Sequence, residues 1–267
     1  MIPRHCYFYW GGGPLSYLQY LSVKTFKDLN PDWCVKLLMP KTIVLIQPPW
    51  DTGELLNDFI GEDYLERTKE ICDVELVDFD EMGIDWRGAH DVQKGDFLKW
   101  HVLHDRGGLF SDIDILYLKP LDELMKNKFD ALVCYVTHAA TGFLMAKPKQ
   151  KMFKDLAKLA ESLWIRHMWN NYQGLGPGLL SEFKSFQGLQ QVYPETKLYN
   201  LPMDIVYPYK PGTEVYELFF GDSINKTTKN TVGIHWYNGN FVAKEYQNHF
   251  DAHRHNGSYM SELLDKH

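Results

Sequence analysis

Two aspartates lie inside an otherwise apolar segment of the chain. Asp112 and Asp114 are separated by one residue within Leu109–Leu118, whose other members are mostly aliphatic or aromatic. If this segment is an extended strand, both carboxylates point to the same face. Two like charges beside a core need a cation or strong hydrogen bonds, and Mn²⁺ and Mg²⁺ prefer oxygen ligands. The spacing predicts a divalent-cation site, and a turn cap at the end of a strand is the alternative.

The segment before these aspartates predicts a helix with further polar candidates. A helix is expected from about Gly95 to Arg106, closed by Gly107-Gly108, because glycine adopts the left-handed conformation of a helix end. Asp96 and Lys99 are three residues apart, so they share one face of this helix. Asp96 could instead be a first-turn acid that complements the helix dipole.

An aromatic residue precedes a glycine-rich loop near the start of the chain. Cys6–Trp10 predicts a buried strand that ends at Gly11-Gly12-Gly13-Pro14. A first strand followed by a glycine loop is a common ligand site. Trp10 could present its ring to a planar ligand while Gly11 lets the backbone approach. The alternative is that Trp10, one of 8 tryptophans, is a core residue.

Strand and helix patterns alternate along the first half of the chain. The hydrophobic periodicity predicts strands at Trp33–Met39, Val74–Phe79, Leu109–Leu118, Ala131–Thr137, Gly142–Ala146 and Thr231–Trp236, helices at Ser16–Leu29, Glu54–Glu70 and Lys149–His167, and a glycine-rich loop at Gly174–Gly178. This order predicts an α/β fold with a mostly parallel, Rossmann-like sheet flanked by helices and a more irregular C-terminal half. Ligands are expected at the carboxyl ends of the strands.

Composition excludes several classes of protein. The 28 basic and 35 acidic residues give a net charge of −7 without a basic block, so no nucleic acid is expected as a partner. A phosphorylated ligand would need local compensation, which a metal ion can provide. The four cysteines include no CxxC pair, which argues against a zinc site or a disulfide framework.

Three segments in fixed order resemble a known family. The stretch Lys94–Asp114 resembles the DXD sugar-binding region of glycosyltransferase family 32 and of the related glucosylating bacterial toxins. Ile2–Gly12 together with Asn30–Trp33 resembles that family's opening strand, Trp-x-Gly-Gly loop and Asn-Pro-Asp turn. Gly233–Phe241 is similar to its late histidine-containing segment, although Asn240 and Phe241 stand in place of the usual Ser and Trp.

The resemblance implies an A-type nucleotide-sugar transferase fold, dependence on Mn²⁺ or Mg²⁺, and retention of configuration at the anomeric carbon. It implies a nucleotide-sugar donor, with a UDP-sugar as first choice and GDP-mannose as second, and a carbohydrate or other hydroxyl acceptor, as in polysaccharide biosynthesis. We expect one catalytic domain over residues 1–267, with a donor half at about 1–120 and an acceptor half at about 121–267.

The same resemblance assigns roles on the donor side. Trp10, with Gly11 beside it, would stack on the base, and Asp96 would bond ribose or sugar hydroxyls. Lys99 stands where the family usually has arginine, so it would act as a point charge and not as a bidentate fork. Asp112 would contact the sugar.

The resemblance also assigns the metal ligands. Asp112 and Asp114 would hold the cation, Asn240 would complete the site, and His235 would contact the metal or a phosphate. Asp96, Asp112 and Asp114 are thus the expected catalytic residues.

Two alternatives to a transferase stay open from the sequence: an inactive protein that binds sugar nucleotides, and a metal-dependent hydrolase that uses water as the acceptor. No signal-peptide-like or membrane-spanning run is visible, so a cytoplasmic location and no transmembrane segment are expected. The 15% aromatic content could include a surface patch for a lipid-linked or polysaccharide acceptor, which leaves peripheral membrane contact open.

Overall fold

Nine strands form the framework of the part of the chain that the computed structural model describes, residues 1–44, 59–82, 86, 88–135, 139–166 and 173–266. They are β1 His5–Tyr9, β2 Cys34–Pro40, β3 Asp73–Val77, β4 Gly108–Ser111, β5 Ile115–Tyr117, β6 Ala131–Tyr135, β7 Ala139–Ala146, β8 Leu198–Asn200 and β9 Gly233–His235.

The helices of the described residues are α1 Tyr17–Leu29, α2 Leu65–Ile71, α3 Asp91–Asp105, α4 Asp122–Met125, α5 Lys151–Ile165, α6 Pro177–Ser181, α7 Phe186–Val192, α8 Thr213–Phe220, α9 Phe241–Asn248, α10 Phe250–His253 and α11 Tyr259–Leu264. Short 3₁₀ helices occur at Asp80–Met82 and Met203–Ile205. None of these described helices has the length and apolar composition needed to cross a bilayer.

The strands form a large sheet and a small one. The large sheet has the order β3-β2-β1-β4-β7-β6-β8. Strand β1 pairs in parallel with β2 and β4, β2 pairs in parallel with β3, and β6 pairs in parallel with β8, whereas β7 runs antiparallel to both its neighbours. The small sheet is the antiparallel pair β5 and β9. The predicted α/β fold with a mostly parallel sheet is confirmed.

Helices α1 and α3 both bury polar side chains. Ser16 caps α1 through a capping box with Gln19, in which the Ser16 N–H donates to Gln19 Oε1 at 2.8 Å. Helix α3 packs against α5 and buries several polar side chains along with its apolar ones, among them Asp96 and Lys99. Buried charges of this kind require partners.

The predicted strand Leu109–Leu118 is wrong as one continuous element. The chain leaves the large sheet after Ser111, turns at Ile113 and Asp114, and enters the small sheet at Ile115. Asp112 therefore directly precedes a turn between two sheets and Asp114 lies within it, so the two acids do not share a face of one strand.

Other boundaries also differ from the sequence prediction. The predicted loop Gly174–Gly178 contains the start of α6, since Pro177 occupies the first turn of that helix. Of the predicted helix Glu54–Glu70, residues 54–58 lie outside the described part and the helix begins only at Leu65. Residues 136–137 and 167, the ends of two other predicted elements, also lie outside it.

Candidate functional site

Asp112, Asp114 and His235 form a cluster at the junction of the two sheets. Each side chain offers one ligand atom, and these atoms lie within 4.8 Å of one another. His235 Nε2 is 3.2 Å from Asp114 Oδ1 and 3.8 Å from Asp112 Oδ2. Side chains of Asp114 and His235 are 12% and 11% exposed, whereas that of Asp112 is 38% exposed. Two carboxylates and an imidazole are suitable ligands for a divalent cation.

Strand pairing explains why these three residues meet. In the small sheet Ile115 is the partner of His235, so Asp114, one residue earlier, lies next to the histidine. Asp112 directly follows β4, and its N–H donates to the Gly142 carbonyl at 2.7 Å, which extends the pairing with β7. The acid pair thus occupies the carboxyl end of a central strand, where ligands of such sheets bind.

Backbone groups after β9 fix Asp114. The Asn238 N–H donates to Asp114 Oδ2 at 2.8 Å, and the Trp236 N–H donates to the Asp114 carbonyl at 2.9 Å. Between them, Tyr237 has a left-handed backbone, with φ of 56°, and its hydroxyl donates to the Tyr209 carbonyl at 2.9 Å. A non-glycine residue in this region costs free energy and persists where its surroundings hold it.

Lys99 joins α3 to the acid pair. Its Nζ lies 2.7 Å from Asp96 Oδ1 and 3.4 Å from Asp112 Oδ1, and it donates to the Thr141 carbonyl at 3.1 Å. The Lys99 side chain is only 3% exposed. The positive charge of Lys99 therefore offsets negative charge of Asp96 and Asp112.

The two acids of the pair have opposite electrostatic environments. Burial raises the pKa of Asp112, but the charges of Lys99 and His235 outweigh it and hold that pKa well below its usual range. For Asp114 burial is the largest effect, and with the charge of Asp112 it leaves the pKa raised in spite of His235. Burial also raises the pKa of Asp96, against the lowering effect of Lys99. Burial lowers the pKa of His235, but Asp114 and Asp112 prevail and leave it raised.

Two glycines make room for the carboxylates. A Cβ atom on Gly142 would lie 2.7 Å from Asp112 Oδ2, and one on Gly176 would lie 2.2 Å from Asp96 Oδ2. The predicted glycine-rich loop therefore packs directly over Asp96. It is held there by the Trp100 indole N–H, which donates to the Leu175 carbonyl at 2.6 Å.

The cluster lies on the wall of a cavity of about 370 Å³. Among the predicted site residues, those on its wall are Trp10, Gly11, Asp96, Lys99, Asp112, Asp114 and His235. The half-buried Trp10 ring is fixed at one edge, because its Nε1–H donates to the Gly13 carbonyl at 2.7 Å. The structure thus gathers seven of the eight predicted residues around one space.

Asn240, the eighth, lies elsewhere. It is the N-cap of α9, where its Oδ1 accepts from the Val242 N–H at 2.9 Å, and it does not line the cavity. Phe241 after it is 66% exposed. A metal-binding role for Asn240 stays a prediction, and it would require the side chain to leave this cap.

Comparison of the sequence with known families identifies the central segment. Residues 18–130, a little under half of the chain, match the family described as "Glycosyltransferase sugar-binding region containing DXD motif". Over this segment the chain is similar to the DXD region of glycosyltransferases. The predicted resemblance and the predicted enzyme class, a glycosyltransferase, are confirmed by this match. Comparison with curated protein sequences gives no match.

Solved structures of several glycosyltransferases are similar to this chain. The PaToxG glycosyltransferase is similar with a TM-score of 0.50 and 17% identity, over 72% of this chain and 70% of that one. The galactosyltransferase LgtC is similar at 0.44 and 12%, over 87% of each chain. Mouse xyloside xylosyltransferase 1 is similar at 0.45 and 10%, over 89% of this chain and 99% of that one. At this identity the likeness to PaToxG concerns the fold.

The cavity residues that the sequence analysis missed include Asp91, Asn238, Lys244 and Gln247. Asp91 begins α3, earlier than the predicted helix start. Lys244 and Gln247 are three residues apart on α9 and are buried, at 4% and 3% exposure. The sequence signal that could have identified Lys244 and Gln247 is that two polar residues at helical spacing follow the late histidine-containing segment.

Proposed function

We propose that this protein is a metal-dependent, retaining glycosyltransferase that moves a sugar from a nucleotide-sugar donor to a carbohydrate or other hydroxyl acceptor. The observation that carries the proposal is the cluster of Asp112, Asp114 and His235 on the wall of a cavity that also contains Trp10 and Asp96. The match to the DXD family supports it. A UDP-sugar is the first choice of donor, and GDP-mannose is the second.

The donor would lie along the cavity wall. The hydrogen bond from the Trp10 indole to Gly13 uses one edge of the ring, so the face of the ring would stack on the base, with Gly11 beside it. Asp96 would accept hydrogen bonds from ribose or sugar hydroxyls, and Lys99 would keep Asp96 and Asp112 in place through the contacts it already makes.

The donor set fits a divalent cation, Mn²⁺ or Mg²⁺. Asp112, Asp114 and His235 would hold it, and the charge supplied by such an ion stabilises a leaving diphosphate. Asn240 would join only if it exchanged its capping bond.

Bond cleavage at the anomeric carbon would run ahead of attack, with oxocarbenium-like charge on the sugar ring. In a front-face reaction the acceptor hydroxyl attacks from the side of the leaving group, and a departing phosphate oxygen accepts its proton. Asp96, against which Gly176 packs, would orient the sugar during this step. We further propose a single catalytic domain over residues 1–267, whose acceptor side is built by the second half.

The experiment that tests this function is a product assay. The protein is incubated with UDP-glucose, UDP-galactose, UDP-N-acetylglucosamine or GDP-mannose, with and without Mn²⁺ and with and without a mixture of oligosaccharide acceptors. We expect formation of a glycosylated acceptor that requires Mn²⁺, stops in excess chelator, and falls by orders of magnitude in Asp112→Asn and Asp114→Asn.

The product distribution decides between the alternatives. Release of free sugar without acceptor product would favour a hydrolase, and nucleotide-sugar binding without turnover would favour an inactive binding protein. Full transfer in excess chelator would refute the metal dependence but not the transferase. Asp204→Asn, a carboxylate outside the cavity wall, serves as the matched control and should keep wild-type rates.

A further inference from the structure

The hydroxyl of Tyr207 is a buried polar group close to the proposed cation site. The residue is only 4% exposed, and its Oη has no hydrogen-bond partner in the described part of the chain. Buried hydroxyls nearly always have a partner, and an unpaired one costs free energy. The unpaired hydroxyl therefore indicates a contact that forms in another state of the site.

Backbone pairing with β9 brings Tyr207 to the cluster of proposed metal ligands. The Val232 N–H donates to the Ile205 carbonyl at 2.8 Å, and this contact lies at the start of the shared path. The His235 N–H donates to the Val206 carbonyl, also at 2.8 Å. The segment before Tyr207 thus runs along the strand that carries the histidine. The Tyr207 and His235 rings pack beside each other, with their centroids 5.1 Å apart.

The Tyr207 hydroxyl lies close to the carboxylate of Asp112. A Cβ atom on Gly142 would be 2.7 Å from Asp112 Oδ2 and 3.1 Å from Tyr207 Oη. Both oxygens therefore border the same face of this glycine, which has no side chain to separate them. Tyr207 is not among the described residues of the cavity wall. Its hydroxyl would consequently act through Asp112 and not by contact with the donor.

Asp112 has room for a further hydrogen bond. Its Oδ1 is 3.4 Å from Lys99 Nζ, and its Oδ2 is 3.8 Å from His235 Nε2. Both distances are long for charge-assisted hydrogen bonds, and each carboxylate oxygen has two lone pairs that can accept. Once Asp112 shares a cation with His235, a small turn of its carboxylate is sufficient to bring Oδ2 to the Tyr207 hydroxyl.

We propose that the Tyr207 hydroxyl donates a hydrogen bond to Asp112 Oδ2 when the site holds its divalent cation, and that Tyr207 is a positioning residue for this ligand. The inference rests on the proposed function and deepens it, because it names a residue of the second half that orients the first acid of the DXD motif. A phenol is neutral at pH 7, so its O–H can donate. Outer contacts of this kind orient metal ligands and strengthen metal binding.

The test compares the wild type with Tyr207→Phe, which keeps the ring beside His235 and removes only the hydroxyl. The affinity for Mn²⁺, titrated by electron paramagnetic resonance without a donor, should fall by roughly 10- to 100-fold. In excess chelator the melting temperature should stay unchanged or rise, because the substitution removes an unpaired buried group. A tyrosine with only a structural role would show the reverse: lower stability and unchanged affinity for Mn²⁺.

Tyr209→Phe is the matched control. The Tyr209 hydroxyl has a partner, since it donates to the Ile224 carbonyl at 2.5 Å, and Tyr209 is not among the described residues of the cavity wall. This substitution should lower the melting temperature and keep the affinity for Mn²⁺ within about twofold of the wild type.

The outcomes separate the inference from the proposed function. Wild-type affinity for Mn²⁺ in folded Tyr207→Phe overturns the inference alone. A loss of affinity that is accompanied by a lower melting temperature in chelator also overturns it, because Tyr207 would then act through general packing. A wild-type protein that does not bind Mn²⁺ overturns the metal dependence of the proposed function, and the inference with it.

Discussion

At the scale of single residues, the two aspartates of the DXD motif are not equivalent. Asp112 has two cationic neighbours, Lys99 at 3.4 Å and His235 at 3.8 Å, whereas Asp114 is more buried and shares only the histidine. The folded protein therefore favours the charged form of Asp112 and disfavours that of Asp114, as their lowered and raised pKa values indicate.

This asymmetry predicts different effects of charge removal in the metal-free protein. A lowered folded-state pKa contributes stability at neutral pH, and a raised one subtracts from it. Asp112→Asn should therefore lower the melting temperature. Asp114→Asn should leave it unchanged or raise it, because the amide oxygen of Asn can still accept the hydrogen bond from the Asn238 N–H. Differential scanning calorimetry at pH 7 with chelator measures both. Equal destabilisation by both substitutions would show that the pair acts as a structural cap.

Trp10 gives a second prediction at this scale. Its indole is fixed to Gly13, so the ring face is preorganised to stack on a base. Stacking on a base is worth about 1–3 kcal/mol, so Trp10→Ala should weaken donor and free nucleotide alike by roughly five- to 150-fold. Trp10→Phe, which keeps a ring but loses the bond to Gly13, should be intermediate. Unchanged nucleotide affinity in folded Trp10→Ala, measured by calorimetry, would make Trp10 a core residue.

At the scale of elements, one side chain connects three segments around the cavity. Gln247 on α9 accepts from the Ser16 hydroxyl at 2.6 Å and donates through Nε2 to Asn238 Oδ1 at 3.2 Å. The Asn238 N–H in turn donates to Asp114. Gln247 is thus a positioning residue that ties the start of α1 and the loop after β9 to a proposed metal ligand.

We expect Gln247→Leu to weaken Mn²⁺ binding more than it changes the fold. Loss of the amide frees the Asn238 side chain and loosens the loop that orients Asp114. Removal of an outer contact of this kind typically lowers metal affinity, so we expect the affinity for Mn²⁺ to fall by roughly 10- to 100-fold. Titration of Mn²⁺ by electron paramagnetic resonance measures it, and Gln247→Glu, which can still accept from Ser16, should be less impaired. Wild-type Mn²⁺ affinity in Gln247→Leu would show that the network only packs α9.

Sequence patterns were sufficient to predict the bounds of the regular elements. Regular segments such as α1 and β2 were predicted within a residue or so, because their hydrophobic periodicity and caps are local. The break between β4 and β5 was not predicted, since Ile115, Leu116 and Tyr117 continue the apolar run. The two strands are separated because β4 pairs with β7 whereas β5 pairs with β9, and both partners are distant along the chain.

At the scale of the whole molecule, the sequence located most candidate residues but not their mutual contacts. The motif and the resemblance named Asp112, Asp114 and His235, which the fold brings together. The placement of Lys99 between Asp96 and Asp112 depends on tertiary packing. The capping role of Asn240 is instead a local contact at the start of α9, and asparagine is a preferred residue at this position.

The register between Ile115 and His235 has a consequence for the order of folding. Local contacts form first, whereas pairing of distant segments must wait for a large loop to close. The cluster proposed to bind a cation is incomplete until β9 reaches β5, however much of the large sheet already exists. Affinity for Mn²⁺ should therefore appear only in the last refolding phase, after most helical signal has returned. In stopped-flow refolding experiments, the appearance of Mn²⁺ binding would mark the time at which β9 pairs with β5.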